Sequence, residues 1–253
     1  MTDRAAPLAQ IVEEARRLTS AAAEQDIPIR LLGGLAVRLR VEGTFHSNLS
    51  REYRDIDFVT LKDRGKAAAR LFEEMGYEPD REFNAFSGGT RLLFHDPSYE
   101  RQIDVFIGAF RMCHEIPIGD RLTLDPVTLP LAELLLTKLQ VVSLNEKDLR
   151  DIIAILHHHE VADHDGETIN AERIAHLCAQ DWGLWRTCNM NVDRVRGGLE
   201  LYDLTADESA TVQARLDRLW GRIDAAPKTR GWRLRDRIGD RKRWYEEPDE
   251  VEP

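Results

Sequence analysis

Residues 55–60 read Asp-Ile-Asp-Phe-Val-Thr, and this alternation constrains the chain more than any other stretch. A strand sends successive side chains to opposite faces, so Asp55 and Asp57 share one face while Ile56 and Phe58 point to a core. Two carboxylates a few ångströms apart repel each other unless a cation lies between them. Residues 102–107, Gln-Ile-Asp-Val-Phe-Ile, repeat the pattern: Ile103 and Val105 are core-like and Asp104 faces the other way. If the two strands are neighbours, three carboxylates converge. Such hard oxygen ligands suit Mg²⁺, which usually takes one or two carboxylates plus phosphate oxygens. Three carboxylates can hold two ions, about 3.5–4 Å apart, the arrangement used in phosphoryl chemistry. An isolated Asp-x-Asp also occurs on solvated strand faces, so its context decides.

That context is a chain of alternating elements. Residues 8–24 have helical spacing, with Ile11, Ala15 and Leu18 on one stripe. Residues 27–32 read as a strand, Gly33-Gly34 breaks it, and residues 35–40 resume as a helix. A helix is expected over 66–75, ending near Gly76. Residues 83–86 and 91–94 flank Ser87-Gly88-Gly89-Thr90 as a predicted hairpin. Beyond Asp125 the pattern becomes helical: an apolar helix over 130–142 with Thr128 as its cap, then helices capped by Asn145 and Asn170. Thr205 and Glu208 have capping-box spacing before another helix over 210–223. No strand is expected after Asp125, and residues 161–168 read as an acidic loop. The expected fold is α+β: a mixed sheet with helices over 1–125, a helical domain over 126–245, and a disordered acidic tail over 246–253.

The formal net charge of −10 repels nucleic acid on average, so a polyanion would need a local basic surface or a metal. Cys113, Cys178 and Cys188 lack CxxC spacing, which argues against a disulfide framework or structural zinc and for a reducing cytoplasm. No apolar run approaches the roughly 18 residues of a membrane span.

Glycines at a strand-to-helix turn let backbone N–H groups approach phosphate, and a helix N-terminus favours an anion. Gly33-Gly34 is such a turn, although a plain tight turn would look the same. Taken in order, Leu31-Leu32-Gly33-Gly34-Leu35-Ala36, Arg54-Asp55-Ile56-Asp57-Phe58 and Gln102-Ile103-Asp104-Val105-Phe106 resemble the polymerase-beta-like nucleotidyltransferase superfamily. The longer spacing between the glycines and Asp-x-Asp is more similar to AbiEii-type toxins and to aminoglycoside and lincosamide nucleotidyltransferases. Gly34 stands where many members have serine. Leu134 to Leu139 and then Glu146-Lys147-Asp148-Leu149-Arg150-Asp151-Ile152 resemble the Lys, then Lys-Asp-x-x-Asp, pattern of AbiEii-type proteins. The resemblance implies that Lys138 meets nucleotide phosphates and Asp148 helps to position the site. Chemistry alone requires that Lys138, in an apolar helix, reach water, a carboxylate or a phosphate. Asp148 also suits the first turn of its helix for purely electrostatic reasons.

The implied enzyme moves a nucleoside monophosphate from an NTP such as ATP to a hydroxyl. Asp55, Asp57 and Asp104 would be the Mg²⁺ ligands, and these three with Lys138 and Asp148 the catalytic set. Gly33, Gly34, Arg54 and Lys138 would contact the nucleotide; Arg51 and Arg54, which flank Asp55, read either as triphosphate contacts or as surface salt bridges. The acceptor is tRNA or a protein if the chain is toxin-like, with a cognate antitoxin as partner; the alternatives are a small-molecule antibiotic, or a non-catalytic nucleotide-binding module. His157-His158-His159 cannot all face one ion on a helix. Residues 228–243 carry eight Lys or Arg against Asp236 and Asp240, with Trp232, Trp244 and Tyr245 near them. They read either as an RNA contact or as a terminal helix docked by its tryptophans.

Overall fold

A computed structural model describes residues 6–41 and 47–247. The first half runs as helix α1 (Ile11–Glu24), strand β1 (Ile29–Leu32), helix α2 (Gly33–Arg40), strand β2 (Asp55–Thr60) and helix α3 (Gly65–Glu74). Strand β3 (Glu78–Pro79), helix α4 (Arg81–Ser87), strands β4 (Arg91–Asp96) and β5 (Arg101–Ile107), and a hairpin of β6 (Ala109–Arg111) and β7 (Glu115–Pro117) follow. The second half holds α5 (Leu131–Leu139), α6 (Glu146–His158), short strands β8 (Glu160–Ala162) and β9 (Thr168–Asn170), then α7 (Ala171–Gln180), α8 (Trp182–Gly198), α9 (Ala206–Ala225) and α10 (Arg230–Ile238). The fold is α+β.

Five strands form one mixed sheet in the order β1-β2-β5-β4-β3, and only the β2–β5 pair is parallel. Its alternation sorts the faces as the sequence requires. Ile56 and Phe58 lie opposite Ile103 and Val105 and point into the core. Helix α3 covers that face through Ala68, Leu71 and Phe72, one stripe at helical spacing. The Phe72 ring lies 5.4 Å from Phe58 and 5.3 Å from Phe94. On the opposite face, α2 packs against β2 and is itself backed by α5 and α6. Buried apolar side chains from Ala15 to Ile223 form one connected cluster, so the sheet and the helices share a core. The boundary expected at residue 125 falls where the chain runs beside β1: Leu31 N donates to Val127 O at 2.9 Å, and Leu129 N donates to Leu31 O at 2.8 Å.

Three expectations are corrected. Residues 83–86 belong to helix α4, not to a hairpin arm. Asp80 caps that helix, its Oδ1 accepting from Phe83 N at 2.9 Å, and this local bond outweighs a short alternating pattern. Residues 161–168 include parts of β8 and β9, a parallel pair that buries Val161 against Ile169. The acidic residues between these strands mask two short apolar contacts in the sequence. Thr128 does not cap α5, whose first turn follows Pro130; Thr128 instead bridges to Leu31. The caps expected of Asn145, Asn170 and Thr205 with Glu208 are present.

The three cysteines are buried and free. Among the described residues no helix is long and apolar enough to cross a membrane. Helix α10 docks through Trp232, whose ring meets Trp185 at 5.1 Å, while Trp182 Nε1 donates to Asp236 at 2.7 Å. Arg233, Arg237 and Arg241 stay exposed. Of the expected tail, Glu246 N donates to Cys113 O at 3.0 Å, and residues 248–253 lie outside the described residues.

Candidate active site

The parallel pairing of β2 with β5 puts Asp57 directly opposite Asp104 and Asp55 opposite Gln102. The three aspartates therefore share one face, with Asp55 exposed, Asp57 half-buried and Asp104 buried. Burial raises all three carboxyls above the ordinary range. Asp57 rises to about 7, through burial and then the neighbouring charge of Asp104. Lys147 opposes the rise at Asp55.

Asp104 is not a bare carboxylate. Arg91, at the start of β4, donates from Nε to Oδ1 at 2.8 Å and to Oδ2 at 3.0 Å, and its Nη2 also reaches Oδ2. The guanidinium is sandwiched near Phe83 and Phe106. Among the described residues, no group of three or more His, Cys, Asp or Glu side chains is drawn together tightly enough to hold an ion. The Asp55–Asp57 pair nonetheless fits one: two carboxylates on one strand face, both raised by burial, gain from a cation, and Mg²⁺ accepts two such ligands when phosphate oxygens supply others.

Helix α2 begins where β1 ends. Gly33 has φ +69°, a left-handed value, and a Cβ there would lie 2.0 Å from Asp57 Oδ2. Only glycine lets the first turn of α2 come this close to the carboxylate. At Gly34 a Cβ would lie 1.7 Å from Arg51 Nη2, so the guanidinium fills that space.

Lys138 lies at the floor of the cleft, its ammonium held by two carboxylates. Its Nζ lies 2.8 Å from Asp148 Oδ1 and 3.0 Å from Asp151 Oδ2. Burial works against the ammonium, but Asp151 and Asp148 outweigh it and hold its pKa above that of an ordinary lysine. Arg51 completes the cluster, giving Nε to Asp151 Oδ1 at 3.1 Å and Nη2 to Asp151 Oδ2 at 2.9 Å. Asp151 is held below the usual carboxylate range: burial pushes it up, and Lys138 and Arg51 more than reverse that. Asp148 sits in the first turn of α6, its backbone N donating to Asn145 Oδ1 at 2.9 Å.

Two cavities meet along this ridge, both lined by Asp55, Asp57, Gln102, Lys138, Asn145 and Asp148. One, of about 710 Å³, lies on the Asp104 side, with Arg91, Phe106, Phe110, Val141 and Tyr245. The other, of about 1040 Å³, lies on the α2 side with Gly34, Arg51, Arg54, Lys147 and Arg150.

All the expected residues thus border one cleft. Gly33 and Gly34 line different cavities, and Arg54 lies at the exposed edge of the larger one. The histidine run makes no such site: His157 and His158 touch through their Nδ1 atoms at 2.9 Å, whereas His159 turns to Glu167 O and Arg40 O. Sequence reasoning missed Arg91 and Gln102. A buried Asp104 needs a counter-charge, but no spacing in the sequence names Arg91 as its source.

The profile of a family described as "Uncharacterised nucleotidyltransferase" matches residues 5–170. No curated protein matches the chain. Among solved structures, the chain is similar to the crystal structure of ANT(2")-Ia in complex with adenylyl-2"-tobramycin, at 15% identity over 56% of this chain and 86% of that one, TM-score 0.40. The solution structure of the antibiotic-resistance factor ANT(2'')-Ia gives 12% identity over 84% and 94%, TM-score 0.39. An antigenic nucleotidyltransferase-like protein from Paracoccidioides brasiliensis gives 15% identity over 89% and 98%, TM-score 0.42. The profile spans well over half of the chain, and on that match the chain belongs to this nucleotidyltransferase family and is a nucleotidyltransferase.

Proposed function

We propose that the protein transfers a nucleoside monophosphate from an NTP to a hydroxyl group, with Asp55 and Asp57 as the Mg²⁺-holding pair. The observation that carries this is the register of Asp57 with Asp104 on parallel strands, beside a helix start stripped of side chains at Gly33 and Gly34. When bound, the ion would supply positive charge where negative charge builds on the reacting phosphoryl group and on the leaving pyrophosphate. The α2 turn gives unsatisfied backbone N–H groups to the same anion. Lys138, already charged, stands ready beneath the ridge to offset that charge.

Asp104 faces the smaller cavity and serves the acceptor. An Arg-held carboxylate keeps lone-pair sites free, so it can still accept a hydrogen bond from an incoming hydroxyl. The hydroxyl oxygen forms a bond to the α-phosphorus, the α–β bridging bond breaks, pyrophosphate leaves, and the hydroxyl proton passes to Asp104.

RNA is the acceptor favoured by one observation. The exposed arginines of α10 sit on the segment that leads through Lys242 and Arg243 to Tyr245, a lining residue of the smaller cavity. The test is transfer of label from each of the four α-labelled NTPs, with Mg²⁺, to bulk RNA and to lysate small molecules. Label on RNA that vanishes in Asp57→Asn supports the reading. Label on a small molecule alone replaces the acceptor, and no transfer to either overturns the proposal.

A further inference from the structure

Gly34 and Arg51 share one volume. The Cβ that Gly34 lacks would fall 1.7 Å from Arg51 Nη2 and 2.7 Å from its Cζ, so the guanidinium sits against the first turn of α2. A cation at a helix N-terminus meets the positive end of the helix dipole, which opposes it. Asp151 holds the Arg51 Nε and Nη2, and Arg51 Nη1 donates to Glu52 O at 3.2 Å. The ring of Tyr53 lies under the guanidinium, 4.5 Å from its carbon.

A guanidinium has five N–H groups. Three are committed here, which leaves one on each terminal nitrogen, on a residue that lines the larger cavity. The helix beside it is also unsatisfied. Leu32 occupies the N-cap position of α2 and offers no side-chain acceptor, so the first-turn N–H groups have no capping side chain. Lys147 and Arg54 line the same cavity, and both act electrostatically on Asp55. Uncapped N–H groups, two spare guanidinium N–H groups and further cations around one space call for an anion with several oxygens.

We propose that Arg51 binds the phosphate tail of the donor NTP, and that residue 34 is glycine because Arg51 needs its side-chain volume. This rests on the reading of the chain as an NTP-using transferase. Asp151 then acts as a positioning residue, fixing the edge of the guanidinium that faces away from the phosphates. Lys138 shares the same Asp151 oxygen with Arg51, so the two cations are set by one carboxylate.

The experiment is calorimetric binding of Mg-NTP and, separately, of inorganic tripolyphosphate to the purified full chain, without acceptor. Loss of a charge-assisted hydrogen bond should weaken both ligands about tenfold or more in Arg51→Ala. Arg51→Lys keeps the charge but not the fork and should recover only part of the affinity. Gly34→Ala should mimic Arg51→Ala by displacing the guanidinium, and the double variant should bind no worse than either single. Circular dichroism checks the fold, and if Arg51→Ala does not fold, Arg51→Lys and Gly34→Ala decide. Undiminished tripolyphosphate binding in the folded variants overturns the role of Arg51, and additive losses in the double variant overturn the coupling to Gly34. Wild type that binds neither ligand overturns the underlying reading instead.

Discussion

Asp57→Asn in metal-free protein should stabilise the fold, and increasingly so as pH rises. Burial and the charge of Asp104 carry the Asp57 carboxyl from its ordinary 3.8 to about 7. The folded state therefore binds this proton more tightly than the unfolded chain does. The associated stability is fully present below the unfolded value and is lost as pH climbs from about 4 to about 7. Three units at about 1.4 kcal/mol each set a ceiling of about 4 kcal/mol. Asp57 is only half-buried, and water screening reduces the expected gain to roughly 2 kcal/mol across the range from about pH 4 to about pH 7. Asparagine keeps the shape and cannot ionise, so the variant escapes this loss. Urea unfolding of both proteins with a chelator, across that range, gives the difference directly. Millimolar Mg²⁺ should then stabilise wild type above about pH 7 and leave Asp57→Asn nearly unmoved. A stability gap that is flat with pH, or an asparagine variant that is the weaker protein at high pH, would refute the electrostatic account of Asp57.

Three further outcomes are expected. Gly33→Ala forces a left-handed residue and drives a methyl into Asp57 Oδ2, so it should lose about 2 kcal/mol in urea unfolding and nearly all transfer activity. Asp104→Ala should still bind Mg-NTP by calorimetry yet fail to transfer, because Asp104 lies on the acceptor side; unimpaired transfer would make it structural, a partner for Arg91 only. Charge reversal of Arg233, Arg237 and Arg241 together should weaken RNA binding and flatten its salt dependence while sparing Mg-NTP affinity. RNA binding that does not change leaves α10 as a helix held by Trp232 with a solvated basic face.

The carboxylate face was legible because it depends on local alternation alone: Asp57 and Asp104 each sit between apolar residues of a strand that must bury one side, and Asp55 is two residues before Asp57. The caps at Asn145, Asn170 and Thr205 were legible for the same reason, since each bond spans three residues. What escaped depends on partners distant in sequence. Arg91 is 13 residues from Asp104, and Arg51 is 100 from Asp151, so no spacing rule joins them. The fate of Lys138 was bounded, not fixed, by its apolar surroundings: a charge was needed, and the fold supplied Asp148 and Asp151. Residues 83–86 were misread because their aromatics suit a strand, while the deciding signal was Asp80 just upstream. Lys147 and Gln102 owe their place to which ends of α6 and β5 face the cleft, which is a property of packing.

The run of Val127, Thr128 and Leu129 beside Leu31 has a consequence for how the chain can be divided. β1 is the outer strand of the sheet, and its free edge would otherwise present unpaired donors and acceptors to any other extended chain. The link to the helical half closes that edge with two backbone bonds. A truncation after residue 125, drawn to isolate the sheet, would unzip this cover and strip α2 of α5 and α6. The fragment should self-associate through β1, visible as concentration-dependent growth in light scattering, where the full chain stays dispersed. The helical half thus shields the open edge of the sheet that carries the aspartates.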